Sequence, residues 1–473
     1  MFGTLGAGGA NGASTRPRNV RVAANTAGIV YRVRRLLGST STISLTAASN
    51  ANLSLDGDNI EAESGIALGE TQKAVIREEL GDQAVEYAVN VSATSGSEPT
   101  PTLDPAVSGL TLANTAAIRA GFAAVRAGTR DMRIITIGDS TTATGGVVTG
   151  NSRYHSWPAR MARLLRDGGL ATSHENLVGF AGQSSADNAN TSFPNFTFTG
   201  QCNPVEDSLG GKIFGQSTTG TFTFTPSENV TGFRVLYTKS TSAGVFSWKV
   251  NGGAATNVNR QIGAGYALGE LIVDAATVPA LATPGLHTIS FSWVSGYHAV
   301  ISVEGLRDER LVNVYNAAIS SSKAVDWPTP TGRPYYRKEL LQTEQADLVI
   351  INLGINDWRA GNWTSAYNTA LQSLITSAKA GGSDVILLCP CPSAESSGES
   401  ISAVRQLAYN DAILALAASN DVPVVNLRSF YGNGDAAVSA GYLLADGIHQ
   451  TQEGYAATAA LMAGTLVYIE QMA

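Results

Sequence analysis

Five short runs of β-branched and other apolar residues constrain this chain more than any other feature of its sequence. Arg133 to Ile137, Leu311 to Tyr315, Leu348 to Asn352, Val385 to Leu388 and Pro423 to Asn426 read as strands, with helical stretches between them. Most of these runs are almost continuously apolar, and strands of that kind are buried on both faces. Alternation with helices then predicts a parallel sheet covered on both sides, an α/β architecture. Ala113 to Ala127, Trp157 to Arg166 and Gly454 to Glu470 read as helices. A further helix over Ala403 to Ala417 puts Val404, Leu407 and Leu414 on one apolar face.

Between the first and second runs the rhythm changes to period two. Phe222 and Phe224, then Phe233, Val235 and Tyr237, then Phe246, Trp248 and Val250, and finally Ile289, Phe291 and Trp293 alternate with polar neighbours. Asn251-Gly252 follows one of these strands, where a tight hairpin wants it. The reading is a β-sandwich over 201–304, inserted into an α/β domain formed by 108–200 and 305–473. The 473 residues, 44% of them hydrophobic, suffice for two to four domains.

Upstream, Met1 to Ser14 is rich in Gly, Ala, Ser and Thr, and Val20 to Val91 reads as a small β-rich domain. Its Arg32, Arg34 and Arg35 suit either an acidic partner or a solvated strand face. Pro99, Pro101 and Pro105 mark a linker, so 1–107 is expected to be the N-terminal domain plus linker. A net charge of −7 without a long basic run disfavours nucleic acid and anionic membranes as partners. No signal-peptide pattern follows Met1 and no run approaches the roughly 18 apolar residues of a membrane span. The expectation is a soluble protein, cytoplasmic or associated with a virion or other particle. Three cysteines, at 202, 389 and 391, make no disulfide framework, and Cys389-Pro-Cys391 lacks a second pair for zinc.

Three short segments carry chemistry. Gly138-Asp139-Ser140 directly follows a buried strand, and ligands of parallel α/β sheets sit outside the carboxyl ends of strands. Alone, it is equally a turn capping the next helix. A serine hydroxyl needs a base, and an imidazole needs a carboxylate to fix its tautomer. Of the five histidines, at 155, 174, 287, 298 and 449, only His449 has an aspartate three residues earlier, Asp446. Gly354-Ile355-Asn356-Asp357 follows the strand ending at Asn352; its asparagine amide suits a developing oxyanion, or an Asx-turn.

In this order the segments resemble the SGNH hydrolases, the GDSL-type esterase and lipase family. That resemblance implies a flavodoxin-like three-layer α/β/α domain. It makes Ser140 the nucleophile, His449 the base and Asp446 its orienter, with no metal or organic cofactor. It places the oxyanion hole at the N–H groups of Ser140 and Ser321 and the side chain of Asn356. Here the family's Asn-x-x-x-Ser-Gly block reads Asn316-Ala317-Ala318-Ile319-Ser320-Ser321, with serine where glycine is usual. The N–H survives that change, while the freedom of glycine is lost. The proline common after the histidine is replaced by Gln450.

The family includes lipases, thioesterases and carbohydrate esterases. No long apolar lid segment is visible, and Trp248, Trp293 and Tyr297 of the sandwich suit either a core or a sugar-binding face. Gly354, Asp357 and above all Trp358 are the candidate pocket residues. The preferred expectation is removal of O-acetyl groups from a polysaccharide. The rival expectations are a lipase or thioesterase on other acyl esters, a glycan-binding module on a decayed scaffold, and a particle component resembling phage tail-fibre esterases in layout. In the last, the N-terminal domain serves attachment or homo-oligomerisation.

Overall fold

The computed structural model describes residues 103–144, 152–178, 196–200, 203–216, 219–361, 364–395 and 402–472, with strands and short adjoining stretches between Arg18 and Thr94. The stretch to Ser14, Arg34, Arg35, Pro99, Pro101 and Cys202 lie outside the described residues. Contacts divide the chain into two units, Met1–Thr102 and Leu103–Ala473.

The first unit is β-structure. Arg18–Ala23, Gln83–Thr94, Thr71–Leu80 and Thr42–Leu45 form one sheet in that order, and Gly28–Arg32, Asn59–Ala62 and Leu53–Asp56 form another. Leu53, Ile60, Ala74 and Ile76 are its buried apolar residues among those described.

In the second unit a seven-stranded sheet runs in the order Thr172–Ser173, Val312–Asn316, Met132–Gly138, Leu348–Asn352, Asp384–Cys389, Val424–Asn426 and Val107–Ser108. All pairs are parallel except the last. The predicted runs therefore appear as adjacent strands, within a residue or so of their expected ends. Their side chains split between two cores. Met132, Ile134, Val312, Leu348 and Ile350 meet Ile118, Phe122, Trp157, Met161 and Leu466 from the helices Ala116–Arg126, Trp157–Asp167 and Gln452–Glu470. Ile135, Ile137, Val349 and Ile351 meet Leu340, Leu371, Ile375 and Ile413 from the helices Arg337–Thr343, Thr364–Ala380 and Ala403–Asn420. Alternate residues of each strand thus feed opposite faces, which makes the domain three-layered.

Two expectations are corrected. Val107 was assigned to the linker region, yet Val107–Ser108 pairs antiparallel with Val424–Val425 and closes the sheet edge. Two residues are too few for periodicity to reveal a strand. On the helix Ala403–Asn420, Val404 is 77% and Leu407 43% exposed; the buried face is Gln406, Tyr409, Asn410, Ile413 and Ala417. Gln406 tolerates burial because its amide exchanges two 2.9 Å bonds with the backbone of Ser393.

The insertion is a two-sheet sandwich. One sheet runs Asn203–Ser208, Gly211–Gln216, His298–Leu306, Gly232–Ser240 and Tyr266–Val273, with Asn176–Val178 also paired to His298–Leu306. The other runs Phe196–Gly200, Gly220–Phe224, Ile289–Gly296, Gly244–Val250 and Thr256–Asn259. Strands on both flanks of 201–304 therefore belong to it. Phe222, Phe233, Val235, Phe246, Trp248 and Phe291 fill the space between the sheets, and Phe222 stacks on Phe291 at 4.7 Å. Asn251 and Gly252 both have positive φ (50° and 72°), the requirement of a tight hairpin turn. Trp248 is core; Trp293 and Tyr297 are half-buried, with Trp293 Nε1 donating to the carbonyl of Gly296. Leu236, Ala299 and Ile301 join the α/β domain's core, and Arg234 forks onto Glu344 at 2.9 and 3.0 Å.

Candidate active site

Strand order explains why the candidate residues meet. Val312–Asn316, Met132–Gly138 and Leu348–Asn352 are neighbours, and their carboxyl ends lie side by side: Asn316 is paired with Thr136, and Asn352 with Gly138. After the Met132 strand the chain builds one side of the sheet and then crosses to the other. This is a topological switch point, where α/β sheets leave a crevice. Ser140, Ser321 and Asn356 each stand two to five residues beyond one of these ends.

Gly138 has no room for a side chain: a Cβ would come within 2.3 Å of Thr142 Oγ1 and 2.9 Å of the Asn352 carbonyl. That close approach aligns the turn. Asp139 then caps the short helix Ser140–Ala143, its Oδ1 accepting from Thr141 N at 2.9 Å and Thr141 Oγ1 at 2.8 Å. Burial pushes the Asp139 carboxyl up to about 6, against the lowering effect of those two bonds. Ser140 follows, half-buried, at the start of the helix.

Ser140 Oγ lies 2.9 Å from His449 Nε2, and His449 Nδ1 lies 2.7 Å from Asp446 Oδ2. With the Nδ1 proton on the carboxylate side, Nε2 is left to accept from the serine. Asp446 Oδ1 accepts from the N–H groups of Ile448 and His449 at 2.9 and 3.0 Å. Burial alone would raise this carboxyl, but the bonds from the His449 ring and the two N–H groups outweigh it and hold it below the usual range. The loop is pinned: Leu444 N donates to the His449 carbonyl at 2.8 Å, and Ala394 N to that of Gly447 at 2.8 Å. Gly447 takes a φ of 67°, which glycine adopts without strain.

The Asn316 loop leaves its strand still bonded to the neighbour. Ala317 N donates to the Thr136 carbonyl and Ile319 N to that of Gly138, both at 2.9 Å. Asn316 Nδ2 donates to the Thr142 carbonyl and Ser156 Oγ, both at 3.0 Å. Ser322 Oγ donates to the Gly138 carbonyl at 3.2 Å. Ser321 is exposed and has a φ of 63°, so serine occupies the left-handed conformation that glycine would favour.

Gly354, at φ 143°, leads into the helix Ile355–Ala360. Asn356 is half-buried and its Nδ2 donates to the Ser322 carbonyl at 3.0 Å, joining this helix to the Asn316 loop. One amide hydrogen remains for a further acceptor. Asp357 and Trp358 do not form an open pocket wall. Asp357 is fully buried and its Oδ2 accepts from Ala324 N at 2.7 Å; Trp358 is 2% exposed and packs edge-on against Tyr409. A large indole beside a buried helix gains more by filling the core than by facing a cleft.

Sequence reasoning passed over the supports. Gln450 is 1% exposed; its Nε2 donates to Tyr431 Oη at 3.1 Å and Thr458 Oγ1 at 2.7 Å. Asn352 Nδ2 donates to Thr142 Oγ1 at 2.9 Å behind the serine turn. An asparagine closing each of two apolar strands was the available signal. Among the described residues no group of three or more His, Cys, Asp and Glu side chains is placed to hold a metal, and no helix is long and apolar enough to cross a membrane.

Residues 293–457 match the profile of the GDSL-like lipase/acylhydrolase family. That segment marks a GDSL-like, SGNH-type hydrolase domain within the chain. The matched span includes Asn356, Asp446 and His449, while Ser140 lies upstream of it, beyond most of the sandwich. The matched domain supports a hydrolase of carboxylic esters. Among solved structures, a peptidoglycan O-acetylesterase superposes with a TM-score of 0.58 at 17% identity, covering 78% of this chain and 100% of the other. A lipase/acylhydrolase from Enterococcus faecalis shares 25% identity over 32% of this chain and 74% of its own, with a TM-score of 0.27. Comparison with curated proteins gave no match.

Proposed function

We propose that this SGNH hydrolase removes O-acetyl groups from a polysaccharide through an acyl-enzyme on Ser140. The observation that carries the reading is the unbroken chain of hydrogen bonds from Ser140 through His449 to Asp446. His449 Nε2 takes the hydroxyl proton as Ser140 Oγ attacks the ester carbonyl, and Asp446 steadies the imidazolium. The oxyanion is held by the N–H groups of Ser140 and Ser321 and by the second amide hydrogen of Asn356. His449 returns the proton to the departing sugar oxygen, and water, deprotonated by the same ring, releases acetate.

The substrate reading draws support from two sides. The loop beside the serine is polar, Ser320-Ser321-Ser322, which suits a sugar better than an aliphatic chain. The fold shared with a peptidoglycan O-acetylesterase extends over 78% of the chain. The test is acetate release from acetylated polysaccharides by wild type and Ser140→Ala. Ser140→Ala is expected to lose activity by about 10⁴-fold or more. Activity surviving in that variant would sink the assignment, and hydrolysis of decanoyl esters in preference to acetyl esters would redirect it to lipids.

A further inference from the structure

An open cavity of about 570 Å³ lies against the Asn316 loop, and six of its eight lining residues are polar: Ser320, Ser321, Ser322, Asp326, Thr329 and Arg337. It shares Ser321 with the oxyanion hole proposed above, so whatever fills it lies beside the scissile ester. Small-molecule sites span roughly 300–1,000 Å³. The space is far larger than the two carbons of an acetyl group need, and a sugar ring or two would occupy it.

Its two charged residues are held in place. Arg337 is 9% exposed, opens the helix Arg337–Thr343, donates from Nη1 to the Asp326 carbonyl at 2.9 Å and sits 5.9 Å from the Trp327 ring. Asp326 Oδ2 accepts from Lys323 N at 2.8 Å, which closes the turn Lys323–Asp326. A fixed guanidinium supplies donors only and a fixed carboxylate acceptors only. Together they match neighbouring ring hydroxyls, each of which both accepts and donates. An aliphatic acyl chain would desolvate both groups and offer neither a hydrogen-bond partner.

We propose that this cavity is the subsite for the sugar that carries the ester, with Asp326 and Arg337 as its specificity-determining residues. The proposal rests on the esterase reading and adds to it the side of the ester on which selectivity is exerted: the alcohol, not the acyl group. Acetylated hydroxyl-rich rings are then preferred to acetates of simple alcohols.

Two variants test it. Thr329 is exposed at the cavity rim, and Thr329→Trp fills the space; Asp326→Asn keeps an oxygen for Lys323 N while removing the charge. The probes are xylotriose, cellotriose and chitotriose as competitive inhibitors of p-nitrophenyl acetate hydrolysis, and the acetylated form of whichever binds. At least one triose is expected to compete, with Ki raised tenfold or more in Thr329→Trp and about threefold to tenfold in Asp326→Asn. The kcat/KM ratio of acetylated triose to p-nitrophenyl acetate is expected to fall by matching factors. Absence of competition by all three, or a Ki untouched by both variants, overturns the proposal. Failure of the esterase reading shows itself separately, as p-nitrophenyl acetate hydrolysis that persists in Ser140→Ala.

Discussion

Two loops bond to the turn that carries Ser140, and they are built to different rules. The Asp446–His449 loop presents side chains: a carboxylate, a ring, and a glycine at φ 67° that lets the chain turn between them. The Asn316–Ser322 loop, in the proposed mechanism, presents a backbone N–H, and here a serine stands at φ 63° where the family usually has glycine. A loop that acts through side chains must keep its residues. A loop that acts through its backbone must keep its torsions, and the residue can drift if the conformation is held from outside. The bonds from Ala317, Ile319 and Ser322 to the Met132 strand do that holding.

The comparison makes graded predictions. The largest effect belongs to His449→Ala, which removes the base; kcat on p-nitrophenyl acetate is expected to fall by about 10⁴–10⁶ with the fold intact by circular dichroism. Ser321→Pro comes next. Proline has no N–H and fixes φ near −65°, opposite to the 63° observed, so the donor and the torsion are lost together. Activity should drop by about 10²–10³, the usual cost of one oxyanion donor; an active proline variant would break the backbone half of the comparison.

Gln450→Leu probes the support of the side-chain loop. It leaves Tyr431 Oη and Thr458 Oγ1 without the amide and is expected to cost about 1–3 kcal/mol of stability by urea denaturation. The accompanying loss should be roughly tenfold in kcat at nearly constant KM, because the ring loses its setting and the substrate contacts do not. Ser321→Gly should do least. Relief of about 1–2 kcal/mol of left-handed strain is partly offset by about 0.5–1 kcal/mol of extra chain entropy. The melting temperature should rise by a few degrees at most, with kcat/KM within threefold of wild type. A tenfold change in either direction would show that the Ser321 side chain matters in its own right.

Much of the candidate site was legible because its parts are local. Asp446 and His449 are three residues apart, and Ser140 and Asn356 each follow an apolar run that reads plainly as a strand. What was not legible depends on packing across the sheet. Trp358 looked like a pocket wall from its place after Asn356, yet Tyr409, some fifty residues on, draws it into the core. Val404 and Leu407 looked like an inward face, yet Gln406 and Tyr409 turn that helix the other way. Val107–Ser108 became a strand only because Val424–Val425 lies beside it. The sandwich was read correctly in kind, since period-two alternation is a property of each strand alone. Its recruitment of Asn176–Val178 is a pairing at long range and left no local trace.

By itself, then, the sequence determined the longer strands, several of the helices and the residue types able to do ester chemistry, because periodicity, turn preference and acid–base character act within a few residues. Only the tertiary structure decided that three carboxyl ends lie side by side. It also decided that Ser321 keeps a left-handed backbone without glycine, and that a polar cavity opens against it. Those outcomes depend on strand order and on bonds between segments hundreds of residues apart, as between Ser140 and His449, and no local pattern encodes which strands become neighbours.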